Sequence, residues 1–260
     1  MSPYGWRAAA RRGNPVRPGG GDRHVQYAVL RELFSCKMTI LGDANQSVNP
    51  LSSSSLPVIR DIFPDADCLE LCRSYRSTSE ITDFAQHISR NDKLILAERH
   101  GLPPQVRAAA DRRAHDKQIL ALVERHRQSD YRSLGIICKT VAQAEQLHRT
   151  LAAEGIDLAF LDYESTEFSA GAVITSAHIA KGLEFDTVIV PHVDDTNYAT
   201  EMDKGMLYIA CTRAMHELHL THVGPPSRFL AFTKEPGSNP AAATTGTAEI
   251  PARGTRTPVG

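Results

Sequence analysis

Cysteine is sparse and unpatterned in this chain. Cys36, Cys68, Cys72, Cys138 and Cys211 are the only ones in 260 residues, and no C-x-x-C occurs. That spacing excludes a zinc ribbon and a disulfide framework and suits a reducing cytoplasm. An excess of one charge is missing too. The 29 Lys and Arg nearly balance the 30 Asp and Glu, leaving a formal net charge of −1. Contact with nucleic acid therefore has to be local rather than spread over the molecule. No apolar run approaches the ~18 residues that cross a bilayer. The arginines near the amino terminus are not followed by an apolar stretch, so no secretory signal peptide is read.

What is present is enough apolar sequence, 42%, to bury a core. Residues 1–24 stand apart. They are rich in Gly, Pro and Arg, with Arg7, Arg11, Arg12, Arg17 and Arg23 opposed only by Asp22. Such a segment buries little and reads as a disordered basic leader. Residues 234–260, rich in Pro, Gly, Ala and Thr, read as a disordered tail.

Between these ends apolar residues recur at helix and strand periods. Gln26–Phe34 predicts a helix and Lys37–Gly42 a strand. Leu56–Phe63 predicts a short helix, Cys68–Leu71 a strand, and Thr78–Ser89 a helix with Ser77 as its cap. Strands are then expected at Val106–Ala109, Leu134–Cys138, Leu158–Leu161, Ala172–Thr175, Thr187–Pro191 and Leu218–Val223. Helices are expected at His115–His126, Val141–Glu154 (ended by Gly155) and Asp203–Met215. Strands alternating with helices predict an α/β fold with a mostly parallel sheet.

Four segments carry chemistry. In order they are ILGDANQSV (40–48), CRSYRSTSEI (72–81), VITSAHIAKGLEFDTVIV (173–190) and LYIACTRA (207–214). Together they resemble motifs III, IV, V and VI of superfamily 1 helicases of the UvrD/Rep type. The ending LYIACTRAMHELHLTHVGPPSRFL and the run QYAVLRELF are similar, more narrowly, to HelD-type motors, which act on RNA polymerase. The resemblance implies a RecA-like domain of the P-loop NTPase fold over residues 67–233, the second motor domain. It makes residues 25–66 a remnant of the first.

It also implies roles. Arg76 and Arg213 match arginines that reach the γ-phosphate of ATP. A guanidinium is a rigid, always-charged fork for phosphate oxygens, and an arginine finger accelerates phosphoryl transfer by about 10³–10⁵. Gln46 matches the glutamine that senses hydrolysis, with Asp43 positioning its loop. Glu184, Gly182 and Lys181 match the nucleotide-facing part of motif V. Thr175, Ser176 and His178 match the part that touches single-stranded DNA backbone. Tyr75 and Tyr208 are expected to pack and orient the neighbouring arginine loops. His216, His219 and His222, at a helix-to-strand junction, complete no metal set.

Two strings expected of such a motor are missing from these residues. There is no G-x-x-x-x-G-K-[ST] to cradle phosphates and hold Mg²⁺. No Asp-Glu pair ends a strand before motif III; GNPVRPGGGDRH (13–24) occupies that place. Between Ser77 and Ala172 there is room only for a bare core domain, without the insertions that relatives use in strand separation. The expectation is the C-terminal half of an ATP-dependent helicase or translocase. ATP and Mg²⁺ would complete it only in an intact motor, with single-stranded DNA, RNA polymerase and a first motor domain as partners. These residues alone are not expected to hydrolyse ATP. The alternatives are a non-catalytic module binding nucleic acid or polymerase, and a degraded gene product.

Overall fold

The computed structural model describes residues 6–8, 23–36, 38–41, 56–70, 72, 75–96, 98–165 and 171–233. Motif III with Gln46 and Asp43, most of the leader and the whole tail lie outside the described residues.

The core is a six-stranded sheet. Its strands are β3 (Gln105–Ala109), β4 (Leu134–Cys138), β5 (Ala159–Phe160), β6 (Ala172–Ser176), β7 (Phe185–Val190) and β8 (Ala214–Val223). They lie in the order β3-β8-β7-β4-β6-β5, and every pairing is parallel. Helices α4 (Arg112–Arg127) and α5 (Val141–Ala153) pack on one face. Helices α3 (Ser79–Ile88) and α6 (Glu201–Cys211) pack on the other.

The pleat sorts the side chains between the two faces. In β4, Leu134, Ile136 and Cys138 join the α4/α5 core, whereas Ile137 joins the α3/α6 core. In β7, Ile189 points to the first and Val188 and Val190 to the second. A strand buried on both faces has to be apolar throughout, which is why LGIIC reads as a continuous run rather than an alternation.

A third, smaller cluster stands by itself. Helices α1 (Arg23–Leu33) and α2 (Leu56–Ile62) bury Tyr27, Ile40, Ile59 and Ile62 together. The strand expected over Lys37–Gly42 is absent among the described residues 38–41. A strand needs a ladder partner, and among the described residues none pairs with this stretch; Ile40 goes into the helical cluster instead. The opposite side of α1 leaves Val25, Val29 and Leu33 at 55%, 47% and 70% exposure. The leader is not structureless throughout. Its residues Trp6–Ala8 form β1, antiparallel to β2 (Cys68–Glu70) and apart from the main sheet.

Local capping sets the helix starts. Thr78, not Ser77, caps α3 by accepting from the amide of Ile81. Ser77 is drawn off to donate to the Ala214 carbonyl at 2.6 Å. Thr140 with Gln143 and Thr200 with Asp203 form capping boxes on α5 and α6. Helix α6 also ends before the expected Met215, because Thr212 and Arg213 turn the chain and β8 begins at Ala214.

One strained position follows β7. His192 takes a left-handed backbone, φ 58°, and its ring lies 4.5 Å from that of buried His115. Desolvation, then His115 and Arg112, lower His192 to about 4, against a smaller upward pull from Asp194. Desolvation also lowers His115, although Thr221 and Asp116 pull it up. Both rings stay neutral in the fold but take up protons more readily once unfolded. Their contribution is therefore complete above about pH 6.5 and is lost as pH falls towards 4. We expect the thermal midpoint to drop across that window, ahead of the carboxylates. His192→Asn, which tolerates the left-handed backbone, should flatten the drop. An unchanged pH profile in that variant would overturn this account.

Candidate functional site

Three of the motif segments meet at the amino ends of β7 and β8. The amide of Phe185, which opens β7, donates to the carbonyl of Arg213 at 3.0 Å. A register irregularity follows between Phe185 and Thr187. The Ser77 hydroxyl holds the Ala214 carbonyl, and the Thr78 amide reaches the Met215 carbonyl at 3.3 Å. Motif IV is thereby laid along the start of β8.

Arg76 and Glu184 come together on this knot, with Nη2 and Oε1 2.5 Å apart. The arginine side chain is nearly buried, 7% exposed, and the glutamate is 34% exposed. Arg213 is nearby in the chain fold but is placed differently. It is fully buried. Its Nε donates to the Ile209 carbonyl at 3.1 Å, Nη1 to the Leu183 carbonyl at 3.3 Å and Nη2 to the Thr212 hydroxyl at 3.2 Å. It thus caps the carboxyl end of α6, where a cation meets the negative end of the helix dipole, and ties that end to the residue before Glu184.

Lys181 and Gly182 are exposed on the loop between β6 and β7. Gly182 has φ 97°, and nothing lies within 4 Å of where a Cβ would sit. The backbone turn requires glycine here; crowding does not. Tyr208 is fully buried, as a packing role demands, but Tyr75 is 71% exposed. Beside the Arg76–Glu184 pair it presents a ring to solvent, so the packing expectation fails for Tyr75.

The residues expected to touch nucleic acid lie at the other end of the sheet, where β6 and β4 finish side by side (Cys138 opposite Ser176). Thr175 is fully buried, and its hydroxyl donates to the Leu161 carbonyl at 2.8 Å. Ser176 is buried as well. Of the three, only His178 is exposed. Partial desolvation, with Lys181 close by, lowers its pKa. The hydroxyls of Thr175 and Ser176 are therefore not surface contacts, because the strand they end is buried on both sides.

Sequence reasoning missed Lys139 at this edge. Its ammonium sits 2.5 Å from Asp203 Oδ1 and also donates to the Asn197 carbonyl. Gln143, on the first turn of α5, donates to the Asn197 side chain at 2.9 Å. Burial pushes the Asp203 carboxyl up, but Lys139 and the amides of the capping box outweigh it and hold the group at about 2. The signal available in sequence was a lysine directly after a buried strand and directly before a helix cap. His216, His219 and His222 diverge. They meet Asp186 and the Tyr131 ring, Glu217, and the Gly224 carbonyl respectively. Among the described residues no group of three His, Cys, Asp or Glu could hold a metal ion, and no helix is long and apolar enough to cross a membrane.

Comparison with known proteins supports the fold. Residues 171–221, from the start of β6 into β8, match the family model of the UvrD-like helicase C-terminal domain. No curated protein matches the chain. Among solved structures, the C-terminal domain of a possible DNA helicase from Lactobacillus plantarum WCFS1 is similar at 34% identity with a TM-score of 0.54. The match spans 62% of this chain and 95% of that one. On its sheet, its motif knot and this relative, the chain belongs to the UvrD-like helicase C-terminal domain family.

Proposed function

We propose that the chain acts as the second motor domain of an ATP-driven superfamily 1 translocase on nucleic acid. Residues 25–66 would be a piece of the first motor domain, and the rest of that domain would bring the phosphate cradle and the Mg²⁺ ligands. The observation that carries this reading is the Arg76–Glu184 pair at 2.5 Å. A carboxylate oxygen gripped by a guanidinium stands where a phosphate oxygen could stand, since both are anionic acceptors for its N–H donors. Arg76 is then the phosphate-facing arginine. Arg213 supports it from behind by fixing the loop that carries Lys181, Gly182 and Glu184. Gln46 would complete the site from the first domain. Bound ATP supplies the transferable phosphoryl group; these residues bind and orient it.

The carboxyl edge would face single-stranded DNA, through His178 and backbone amides of the β6–β7 loop. Contacts of that kind hold phosphates without reading sequence. A second reading puts RNA polymerase in place of DNA. It is favoured by the resemblance of residues 207–230 to HelD-type motors.

Two outcomes are expected. The purified chain should show no ATP turnover, with or without single-stranded DNA. Mixed with a first motor domain from a full-length relative it should turn over ATP, and Arg76→Ala should cut that rate by about 10³ or more. Turnover by the chain alone that vanishes in Arg76→Ala would overturn the half-motor reading. A reconstituted rate indifferent to Arg76 would overturn its role. Separately, Arg213→Ala should cost stability by taking the guanidinium donor from the Leu183 carbonyl, while the Ile209 carbonyl keeps the Thr212 hydroxyl, at about 1–3 kcal/mol for one buried group left unsatisfied, measured by urea unfolding. No loss would contradict the buried-strut account.

A further inference from the structure

The segment between α3 and β3, residues 98–102, has no part in the four motifs. It is nonetheless bound by five hydrogen bonds to the second of them, residues 72–81, and by a sixth to the start of β8. The amide and hydroxyl of Ser79 both donate to the Arg99 carbonyl, at 2.8 and 3.3 Å. The Glu80 carboxylate accepts the Gly101 amide at 2.8 Å and meets His100 Nδ1 at 2.9 Å. Gly101 lies so close to the helix cap that a Cβ there would come within 2.6 Å of Thr78 Cγ2. The first turn of α3 thus holds Arg99 in one place. From there a single nitrogen, Nη2, donates to the Arg76 carbonyl at 2.5 Å and to the Met215 carbonyl at 2.6 Å.

We propose that Arg99 is a positioning residue for Arg76. Its guanidinium staples the motif IV backbone to the start of β8, so the Arg76 side chain leaves a fixed point and reaches Glu184. The reasoning is geometric. Arg76 has to carry its fork across several rotatable bonds, and each ångström of backbone drift is magnified at its tip. Ser77 and Thr78 hold the following residues to Ala214 and Met215, and Arg99 takes the Arg76 carbonyl itself. Arg99 is exposed, so its removal leaves the core intact. Its value for function rests on the reading of Arg76 as a phosphate ligand; the staple itself does not.

The test uses the full chain with ¹⁵N-labelled arginine. In Arg99→Met the Arg76 Nε–H resonance should lose its protection from solvent exchange, while that of Arg213 keeps its own. The thermal midpoint should move by about 2 °C or less, as for other exposed positions. Arg99→Lys, which keeps a donor, should restore part of the protection. Gly101→Ala, which displaces the segment without touching the Arg99 side chain, should act in the same direction as Arg99→Met. An unchanged Arg76 signal in Arg99→Met would overturn the proposal. So would joint loss of the Arg76 and Arg213 signals, since that reports general loosening. A second arm titrates inorganic tripolyphosphate: Arg99→Met should weaken its binding about tenfold. If the unmodified chain binds no tripolyphosphate, the phosphate reading of Arg76 fails, and the resonance arm still decides the staple.

Discussion

A buried guanidinium organises the amino edge of this sheet. Taking a cation out of water costs several kcal/mol unless its donors are met. Arg213 meets that cost with two backbone carbonyls and a hydroxyl. One carbonyl belongs to the last turn of α6 and the other to the loop before β7. Two elements far apart in sequence are therefore fixed to each other by one side chain. The position of Glu184, one residue beyond Leu183, follows from that link, and the Arg76–Glu184 pair is built on it.

The two ends of the sheet divide the labour. The amino ends of β7 and β8 gather the buried Arg213, the nearly buried Arg76 and the partly exposed carboxylate of Glu184. At the carboxyl end of β4, Lys139 binds Asp203 and Asn197. The chain leaves β4 through α5 towards β5, and leaves β7 through α6 towards β8, on opposite sides. In parallel α/β sheets ligands favour the carboxyl crevice where the direction reverses. Here the Lys139–Asp203 pair sits at that reversal and joins β4 to α6. Helix α6 thus touches both ends: Asp203 near its start lies at one edge and Arg213 just past its end at the other.

The central sheet was legible because its strands are buried on both faces. LGIIC had to be a strand of five apolar positions, and its bounds agree residue for residue. The parallel α/β class followed from alternation alone. Boundaries failed where a side chain had two possible partners. Ser77 and Thr78 both suit a helix cap, and the choice depended on Ala214, far away in sequence, which took Ser77. Helix α6 was expected to run from Asp203 to Met215. Its end was set by Thr212 and Arg213 folding back on Ile209, a tertiary choice that no local period encodes. The side-chain directions of Thr175 and Ser176 depended likewise on the neighbouring strands. Exposure of Tyr75 was hidden for the same reason: packing depends on what lies opposite, and the motif does not say.

The sheet order has a consequence for how the chain reaches its fold. Among the described residues edge strand β3 pairs only with β8, Gln105 opposite His219, and most of the length of the domain separates them. Pairings of that separation carry a large loop-closure entropy and form late. During synthesis β4 to β7 can assemble first, while β3 waits with α4 until β8 emerges. A ribosome pausing before Ala214 would hold a sheet with a missing second strand and an unpaired first one. Such an exposed edge is a template for pairing with other chains. The position of the last strand thus makes closure of this edge a late, non-local step of folding.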